Sequence, residues 1–570
     1  MKKLEKLIAC AGGREPADCR LTGAKVFDVF TGQFYEEDLY LAGGVILGRA
    51  PRPARKTLDL SGLYLLPGFI EAHVHLESSY LNPQEFARLL ISRGTTTAVC
   101  DPHEIANVLG LEGLEYLLCE GKKTPLSLYF MVPSCVPAAP FGTPGAVLSA
   151  EEVGALLKRR AFLGLGEVMN FPGVIEAEKE VLEKLKATRL FEKIIDGHAP
   201  LLSGPELEAY RLAGPASEHE AVSLKEAEEK LRAGFHILIR RGTVANNLRA
   251  LAPLIRPETF PFISLVSDDV SAEELLKNGH LDRTLREAVA LGVPPETAIR
   301  LVTITPARYF GLRDRGGIFP GARADLVAVT DLKTFTVKLV LAGGEVVARD
   351  GEAVFPKRPP SSPPPHPVLI PEELDFSVPK APGKIRVIGI RPGEIITEHL
   401  LLEPKIEKDC VVADPERDLL KIVCLERHHG TGRLAVGFVK GFGLKEGALG
   451  STVAHDSHQM LLVGVNDEDL KRAAWRLKAL GGGLVVVNRG EVLAELPLPV
   501  GGLLAELPAE EVAQRLAALK EAACRLGGVL PDPFMTLSFL ALPVIPALKI
   551  TDQGLVDVNR FELVPLFSEV

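Results

Sequence analysis

The 570-residue sequence predicts an α/β protein. A (β/α)8 barrel is enclosed by a composite β-sandwich made from the segments on either side of it, and a second α/β domain follows at the C-terminus. Three observations predict this. Between residues 67 and 311, apolar strand-like runs alternate with helix-like stretches roughly eight times, as such a barrel requires. Short all-β patterns lie just before and just after that region. A proline-rich stretch, 356–367, separates it from a last region of mixed strands and helices.

The elements follow in order. Residues 1–18 read as a helix on the domain surface, because Glu5 sits inside a short apolar segment and suits an amphipathic helix better than a signal peptide. Residues 20–66 give short strands at 24–30, 38–42 and 45–47, punctuated by Thr31-Gly32 and Gly43-Gly44. The pattern returns at 324–330, 336–341 and 345–349, with Gly343-Gly344 as a hairpin turn. One sandwich built from 1–66 and 312–355, with the barrel of 67–311 inserted, accounts for both. In the barrel an apolar run, 63–70, reads as one buried strand ending in His73-x-His75. Further strands fall at 96–100, 126–132, 163–168, 194–197, 236–239 and 263–266. Helices are expected at 83–93, 111–120, 150–160, 176–186, 204–212, 224–233, 244–251, 281–291 and 295–309. Residues 356–379 form a stiff Pro-rich spacer. The last domain, 380–570, has amphipathic helices at 467–480 and 509–526, with strands either side of Asn488-Arg-Gly.

Bulk properties exclude some functions. Apolar residues make up 46% of the chain, enough for large cores, and a net charge of −9 argues against a nucleic-acid or membrane-surface partner. No apolar run reaches membrane-spanning length. The eight cysteines are scattered without a C-x-x-C pair, which suits reduced thiols in a cytoplasm. A homodimer is the expectation for an enzyme of this size.

The chemistry gathers at strand ends. Side chains at i and i+2 of a strand point the same way, so His73 and His75 can meet one metal ion. Later strand ends supply Glu167, His198, His219 and Asp268. Each alone is ordinary; most H-x-H pairs, and most single loop histidines, bind nothing. Together they form a set of imidazoles and carboxylates without thiolates, which suits Zn, Mn or Fe. Six ligands exceed one tetrahedral ion and suit two divalent ions about 3.5–4 Å apart with a carboxylate between them. His75-Leu-Glu77 imitates half of the H-x-E…P-C-x-x-C signature of zinc nucleobase deaminases, but no cysteine pair completes it. The runs Gly430-Thr-Gly432 and Gly481-Gly-Gly483 match no phosphate loop and read as turns.

The ordered set resembles the amidohydrolase superfamily and, within it, the bacterial-type adenine deaminases. The motifs carrying this are Pro67–Ser79, Asp101-Pro-His-Glu-Ile-Ala-Asn-Val-Leu-Gly110, Gly166-Glu-Val-Met-Asn170, Asp196-Gly-His-Ala-Pro200 and Ser217-Glu-His-Glu220. In the last domain they are Glu426-Arg-His-His-Gly-Thr-Gly432 and Ser451-Thr-Val-Ala-His-Asp-Ser-His458. The resemblance implies conversion of adenine to hypoxanthine and ammonia at a binuclear Mn or Fe site, with Zn also compatible. It implies that His73, His75 and Asp268 hold one ion, His198 and His219 the other, and that Glu167 bridges them where many relatives use a carboxylated lysine. Asp268 is then placed to move the proton of the attacking water. Glu77, His103, Glu104, Glu218 and Asp269 lie beside ligands and are candidates for binding ring nitrogens or carrying protons. Asp269 is the first choice for the ring nitrogen next to the amino group, and holding a histidine is its other reading. His428, His429, His455 and His458 either close over the barrel mouth or hold turns in their own domain. Two departures bear on substrate fit: the family's Arg-Glu-Gly-Ser reads Arg240-Arg-Gly-Thr243 here, and the loop after Asp269 is short. Arg241 thus leaves an alternative, a hydrolase of another aminopurine, a cyclic amide or an N-acyl compound.

Overall fold

The structure, a computed structural model, describes residues 2–243, 245–391 and 393–568. Strands from both sides of the barrel region share one seven-stranded sheet. Lys25–Asp28, Gln33–Glu36 and Tyr64–Pro67 come from the N-terminal side; Leu326–Val329, Val337–Ala342, Glu345–Arg349 and Glu352–Ala353 come from the other. A four-stranded sheet packs against it, with Leu21, Leu41 and Ile46 meeting Val26, Leu65, Leu326 and Leu341 in a common core. Each such side chain contributes roughly 1.5–3 kcal/mol by leaving water, so two segments far apart in the chain are bound into one layer pair.

The apolar run 63–70 does not form one strand. It splits between two sheets. Tyr64–Pro67 pairs antiparallel with Leu326–Val329 in the sandwich, and Phe69–His75 opens the barrel. Gly68 is the crossing point, where a Cβ would come within 2.2 Å of Thr96 Oγ1, so only glycine lets the chain pass.

The barrel strands are β1 (Phe69–His75), β2 (Thr95–Cys100), β3 (Ser127–Val132), β4 (Phe162–Val168), β5 (Ile194–Gly197), β6 (Ser217–Glu218), β7 (His236–Arg240) and β8 (Ile263–Val266). Adjacent strands pair in parallel from β1 to β5 and from β6 to β8. The Ala216 N–H donates to Ile195 O (2.8 Å) and links β5 to β6. Asp268–Asp269, just beyond β8, pairs with Val74 and His75 and closes the ring. β6 has two residues, too short to leave a periodic pattern in the sequence.

Several helices differ from the expectation. The N-terminal helix is Lys2–Ala11, and Met1 lies outside the described residues. The helix expected from 111 starts eight residues earlier, spans His103–Gly121 and bends at Gly110, where φ is 55°; its first turn carries His103 and Glu104. The stretch 295–309 is two helices, Pro295–Leu301 and Ile304–Tyr309. Only Leu248–Leu251 of the helix expected at 244–251 is α-helical, and Val244 lies outside the described residues. Ala272–Asn278, unread in the sequence, is a helix capped by Ser271, whose side chain accepts from the Glu274 N–H.

The proline-rich stretch is a strap rather than a free spacer. Arg358 N–H donates to Gln84 Oε1 (3.0 Å), Ser361 N–H to Glu120 Oε1 (2.7 Å) and Lys123 Nζ to Pro359 O (2.8 Å), binding it along the helices Pro83–Ser92 and His103–Gly121. Beyond it an eight-stranded, mainly antiparallel sheet carries the helices Asp467–Leu480 and Ala509–Arg525. This region docks on the barrel. Ala505 N–H donates to Tyr80 O (2.8 Å), Ala509 N–H to Glu85 Oε2 (3.1 Å) and Lys520 Nζ to Glu273 (2.5 Å). Among the described residues, no helix is long and apolar enough to cross a membrane.

Candidate metal centre

The C-terminal ends of the barrel strands bring all six expected ligands together. β1 turns Glu71, His73 and His75 to one side. Glu71 accepts the backbone N–H of His73 (3.1 Å) and ties down Ser267 Oγ (2.7 Å), so the strand end next to Asp268 is braced from below. His75 Nδ1 lies 3.0 Å from Asp101 O. A carbonyl only accepts, so Nδ1 carries the proton and the lone pair of Nε2 faces the site, as ligand histidines require. That Nε2 stands 3.1 Å from Asp268 Oδ1 and 3.4 Å from Glu167 Oε1. His73 Nε2 is 3.5 Å from Asp268 Oδ1 and has no hydrogen-bond partner although buried.

Glu167, at the end of β4, divides its two oxygens. Oε1 faces His75; Oε2 faces His198 Nδ1 (2.7 Å) and His219 Nε2 (3.1 Å). Its backbone N–H donates to Asp101 Oδ2 (2.8 Å), which sets its direction. The donor atoms of His73, His75 and Asp268 lie within 4.8 Å of one another, as do those of His73, Glu167 and His219. The residues present therefore fit two cations sharing one carboxylate, on three counts: the donor types, the bare Nε2 of His75 and the orphaned Nε2 of His73.

The electrostatics agree. Burial by itself would lower the pKa of His75, but the Asp268 and Glu167 carboxylates beside it push it well above the ordinary histidine value. Against the same burial, Glu167 and Glu220 raise His198 to about 9. Glu167 and Asp268, although buried, are held well below the usual carboxylate range by the histidines around them and, for Asp268, by Arg240. The cluster has a surplus of negative charge that draws in positive charge.

Comparison with known proteins now decides the family. A family profile described as "Amidohydrolase family" matches residues 64–347, and one described as "Adenine deaminase C-terminal domain" matches 394–562. A protein named adenine deaminase from Desulfatibacillum aliphaticivorans is 44% identical over 99% of this chain and 100% of its own length. One named adenine deaminase 2 from Carboxydothermus hydrogenoformans is 43% identical over the same shares of the two chains. The chain belongs to the adenine deaminase family. As a member of that amidohydrolase family it is a metal-dependent hydrolase. Among solved structures, a β-aspartyl dipeptidase from Fervidobacterium islandicum superposes with a TM-score of 0.44 at 17% identity, covering 60% of this chain and 99% of that one.

Around the six expected ligands, this adenine deaminase-family site holds groups that sequence reasoning missed. Glu220, one residue past His219, lies 3.4 Å from His219 Nε2 and 3.8 Å from His198 Nδ1. Arg240, at the end of β7, donates from both terminal nitrogens to Glu220 (2.5 and 3.0 Å) and from Nη1 to Asp268 Oδ2 (3.0 Å). One buried cation thus anchors two carboxylates and leaves Asp268 Oδ1 to the site. The sequence signals were that Arg240 ends an apolar strand and that both residues fall inside motifs shared with the family, Ser217-Glu-His-Glu220 and Arg240-Arg-Gly-Thr243.

The neighbouring candidates separate. His103 Nδ1 is 3.5 Å from both Asp101 Oδ1 and Glu167 Oε1, so it stands beside the ligands. Asp269 Oδ1 accepts from Ser78 Oγ (2.5 Å), and burial together with Asp268 raises its pKa. Glu77 accepts the Ile105 N–H (3.1 Å), and burial lifts it to about 7. Glu104 is clasped between His455 Nδ1 and His458 Nε2 of the C-terminal domain. Two expectations are corrected. Glu218 faces away from the metal cluster: it pairs with buried Lys230 (3.0 Å) and accepts the backbone N–H groups of Glu220 and Ala221 (both 3.0 Å), holding the turn after β6. Arg241 also points outward and forms a two-pronged pair with Glu287 (2.5 and 2.7 Å), because consecutive strand residues face opposite sides. Of the C-terminal histidines, His455 and His458 close on the barrel mouth. His428 holds its own domain, 2.7 Å from Ser457 O, while His429 reaches Pro144 O of a barrel loop (2.9 Å).

Proposed function

We propose that the chain hydrolyses adenine to hypoxanthine and ammonia. The observation that carries this reading is the division of Glu167 between His75 on one oxygen and His198 with His219 on the other, in a chain of this family. His73, His75 and Asp268 would hold one divalent ion, His198 and His219 the second, and Glu167 would serve both. Such ions supply a water acidic enough to attack near neutral pH and offset the charge that develops on the purine. Manganese or iron is the proposed metal, with zinc compatible.

The protein's own groups do the rest. Asp268 is pinned through Oδ2 by Arg240, which orients the carboxylate to take the proton of the attacking water and deliver it to the departing amino nitrogen. Asp269, its direction set by the hydrogen bond from Ser78 Oγ, is placed to contact the ring nitrogen next to the reacting carbon. Glu77 and Glu104 are buried beside the same cluster, and burial of the whole cluster excludes bulk water. The alternative substrate classes rested on Arg241, and its side chain is engaged with Glu287 outside the site. The same reading makes the chain a cytoplasmic homodimer in purine salvage, acting on adenine and water with no nucleic-acid or membrane partner. Its net charge of −9 and its free cysteines support that setting.

The test is ammonia release from adenine measured beside metal content. Chelated protein should be inactive, and activity should return with two equivalents of Mn or Fe per chain. No ammonia under any metal loading would overturn the assignment.

A further inference from the structure

The loop 454–458 of the C-terminal domain is held from several sides. Arg427, fully buried, donates to His458 O (2.5 Å) and Gly501 O (2.9 Å). His455 N–H donates to Ser538 O (3.1 Å), and the His455 ring stacks on Phe539 at 4.6 Å. Gln459 Nε2 reaches Thr143 O on a barrel loop (2.5 Å). The loop is therefore a built wall of the barrel mouth.

Its histidines look at first like a third metal site, since the donor atoms of Glu104, His455 and His458 lie within 4.8 Å of one another. The hydrogen bonding argues otherwise. Ala454 N–H donates to His458 Nδ1 (3.1 Å), so that nitrogen is the acceptor and the ring proton sits on Nε2, which donates to Glu104. His458 has no lone pair left for a metal. His455 uses Nδ1 on the other oxygen of Glu104. The cluster is a clasp, and its polar atoms satisfy one another.

Asp456, between the two histidines, is the exception. It is 4% exposed, and its Oδ2 is buried with no hydrogen-bond partner. Its Oδ1 lies 3.8 Å from His103 Nε2, while the other nitrogen of the same imidazole is 3.5 Å from Glu167 Oε1. One imidazole ring thus separates Asp456 from the metal carboxylate. A group that reads the end of a bound base away from the reacting carbon must stand off from the metal carboxylate in this way. A buried carboxylate oxygen without a partner is unfavourable unless something that enters the site supplies one.

We propose that Asp456 is a specificity-determining residue: its unpaired oxygen accepts a hydrogen bond from the imidazole-ring N–H of an unsubstituted purine, so the site takes the free base and discriminates against purines alkylated or glycosylated on that ring. This rests on the adenine reading above. No residue of the barrel is needed for this selection; the C-terminal domain supplies it.

The test uses the metal-loaded full chain and its Asp456→Ala and Asp456→Asn variants. Adenine turnover is measured with purine, 7-methylpurine and 9-methylpurine as competitive inhibitors, beside metal content. For the natural chain, purine should bind about 10- to 100-fold more tightly than at least one methylated form. Asp456→Ala should shrink that gap to about threefold or less and raise KM for adenine by a similar factor as the lost contact, with kcat less affected. Asp456→Asn keeps the shape and a weaker acceptor, should give an intermediate gap, and carries the test if the alanine variant does not fold. A gap that survives both substitutions overturns the proposal. So does loss of bound metal in either variant, since that would make Asp456 a ligand. Failure of the natural chain to release ammonia from adenine would instead overturn the reading beneath it.

Discussion

Replacing Arg240 by methionine should damage this protein more than any surface change. Arg240 is 5% exposed. It is the shared counter-charge of Glu220 and Asp268, at 2.5 and 3.0 Å. Methionine has similar length and no charge, so both carboxylates would remain buried and face each other unneutralised. Breaking a buried ion pair from one side costs about 3–5 kcal/mol. A ceiling comes from the escape route: one carboxylate can take up a proton, and for an ordinary glutamate at pH 7 that costs about 3.7 kcal/mol. A loss of about 3–4 kcal/mol follows for the metal-free protein, and less when bound cations replace the missing charge. The assay is urea unfolding of chelated and metal-loaded protein, with kcat and KM measured on the latter. Loss of the anchor on Asp268 should lower kcat about 100-fold or more while KM moves little, as for a group acting in the reacting step. Adding Glu220→Gln to Arg240→Met should restore stability by removing one stranded charge. A single variant within about 1 kcal/mol of the natural chain when metal-free, or a double variant with no recovery, would refute the account of Arg240 as shared counter-charge.

Other outcomes follow from the same geometry. Glu104→Gln and His458→Ala should each lower kcat/KM, and together should be non-additive by about 1–3 kcal/mol, because they break one clasp; additive effects would show that the contact does not hold in solution. Buried His236, bonded to Ser264 (2.8 Å), has its pKa pushed down to about 3 by burial. The unfolded chain therefore takes up this proton first as pH falls below about 6.5, and the stability contributed by the neutral ring is present above that pH and lost towards pH 3, at about 1.4 kcal/mol per unit. Unfolding measured from pH 7 to 4 should show natural chain and His236→Gln converging or crossing as pH falls; parallel curves would contradict the buried neutral state. Arg241→Met should cost about 1 kcal/mol or less in stability and leave the preference for adenine over other aminopurines within about twofold; a larger change in preference would place that side chain in the site after all.

Local chemistry carried much of the design. The spacing of His73 and His75 follows from a two-residue strand period; Glu167, His198 and Asp268 stood out because polar groups ended apolar runs, and His219 through the motif Ser217-Glu-His-Glu220. The alternation of strand and helix likewise pointed to the barrel without any contact information. Where the reading faltered, the pattern was too short or ambiguous. β6 has two residues, and the run 63–70 carries no mark of which sheet each half joins. The helix at His103 begins behind a proline and before its apolar period is established.

Partners distant in the chain could not be read in this way. Glu104 meets His455 and His458 about 350 positions later, Glu220 and Asp268 meet on Arg240, and Arg241 turns out to face Glu287. Residue type and spacing determine which side of an element a group occupies and which ions it can bind. Which groups share a charge, which carboxylate is left unpaired and which domain closes the mouth depend on packing between elements, because hydrogen bonds and ion pairs act over a few ångströms in space whatever the separation along the chain.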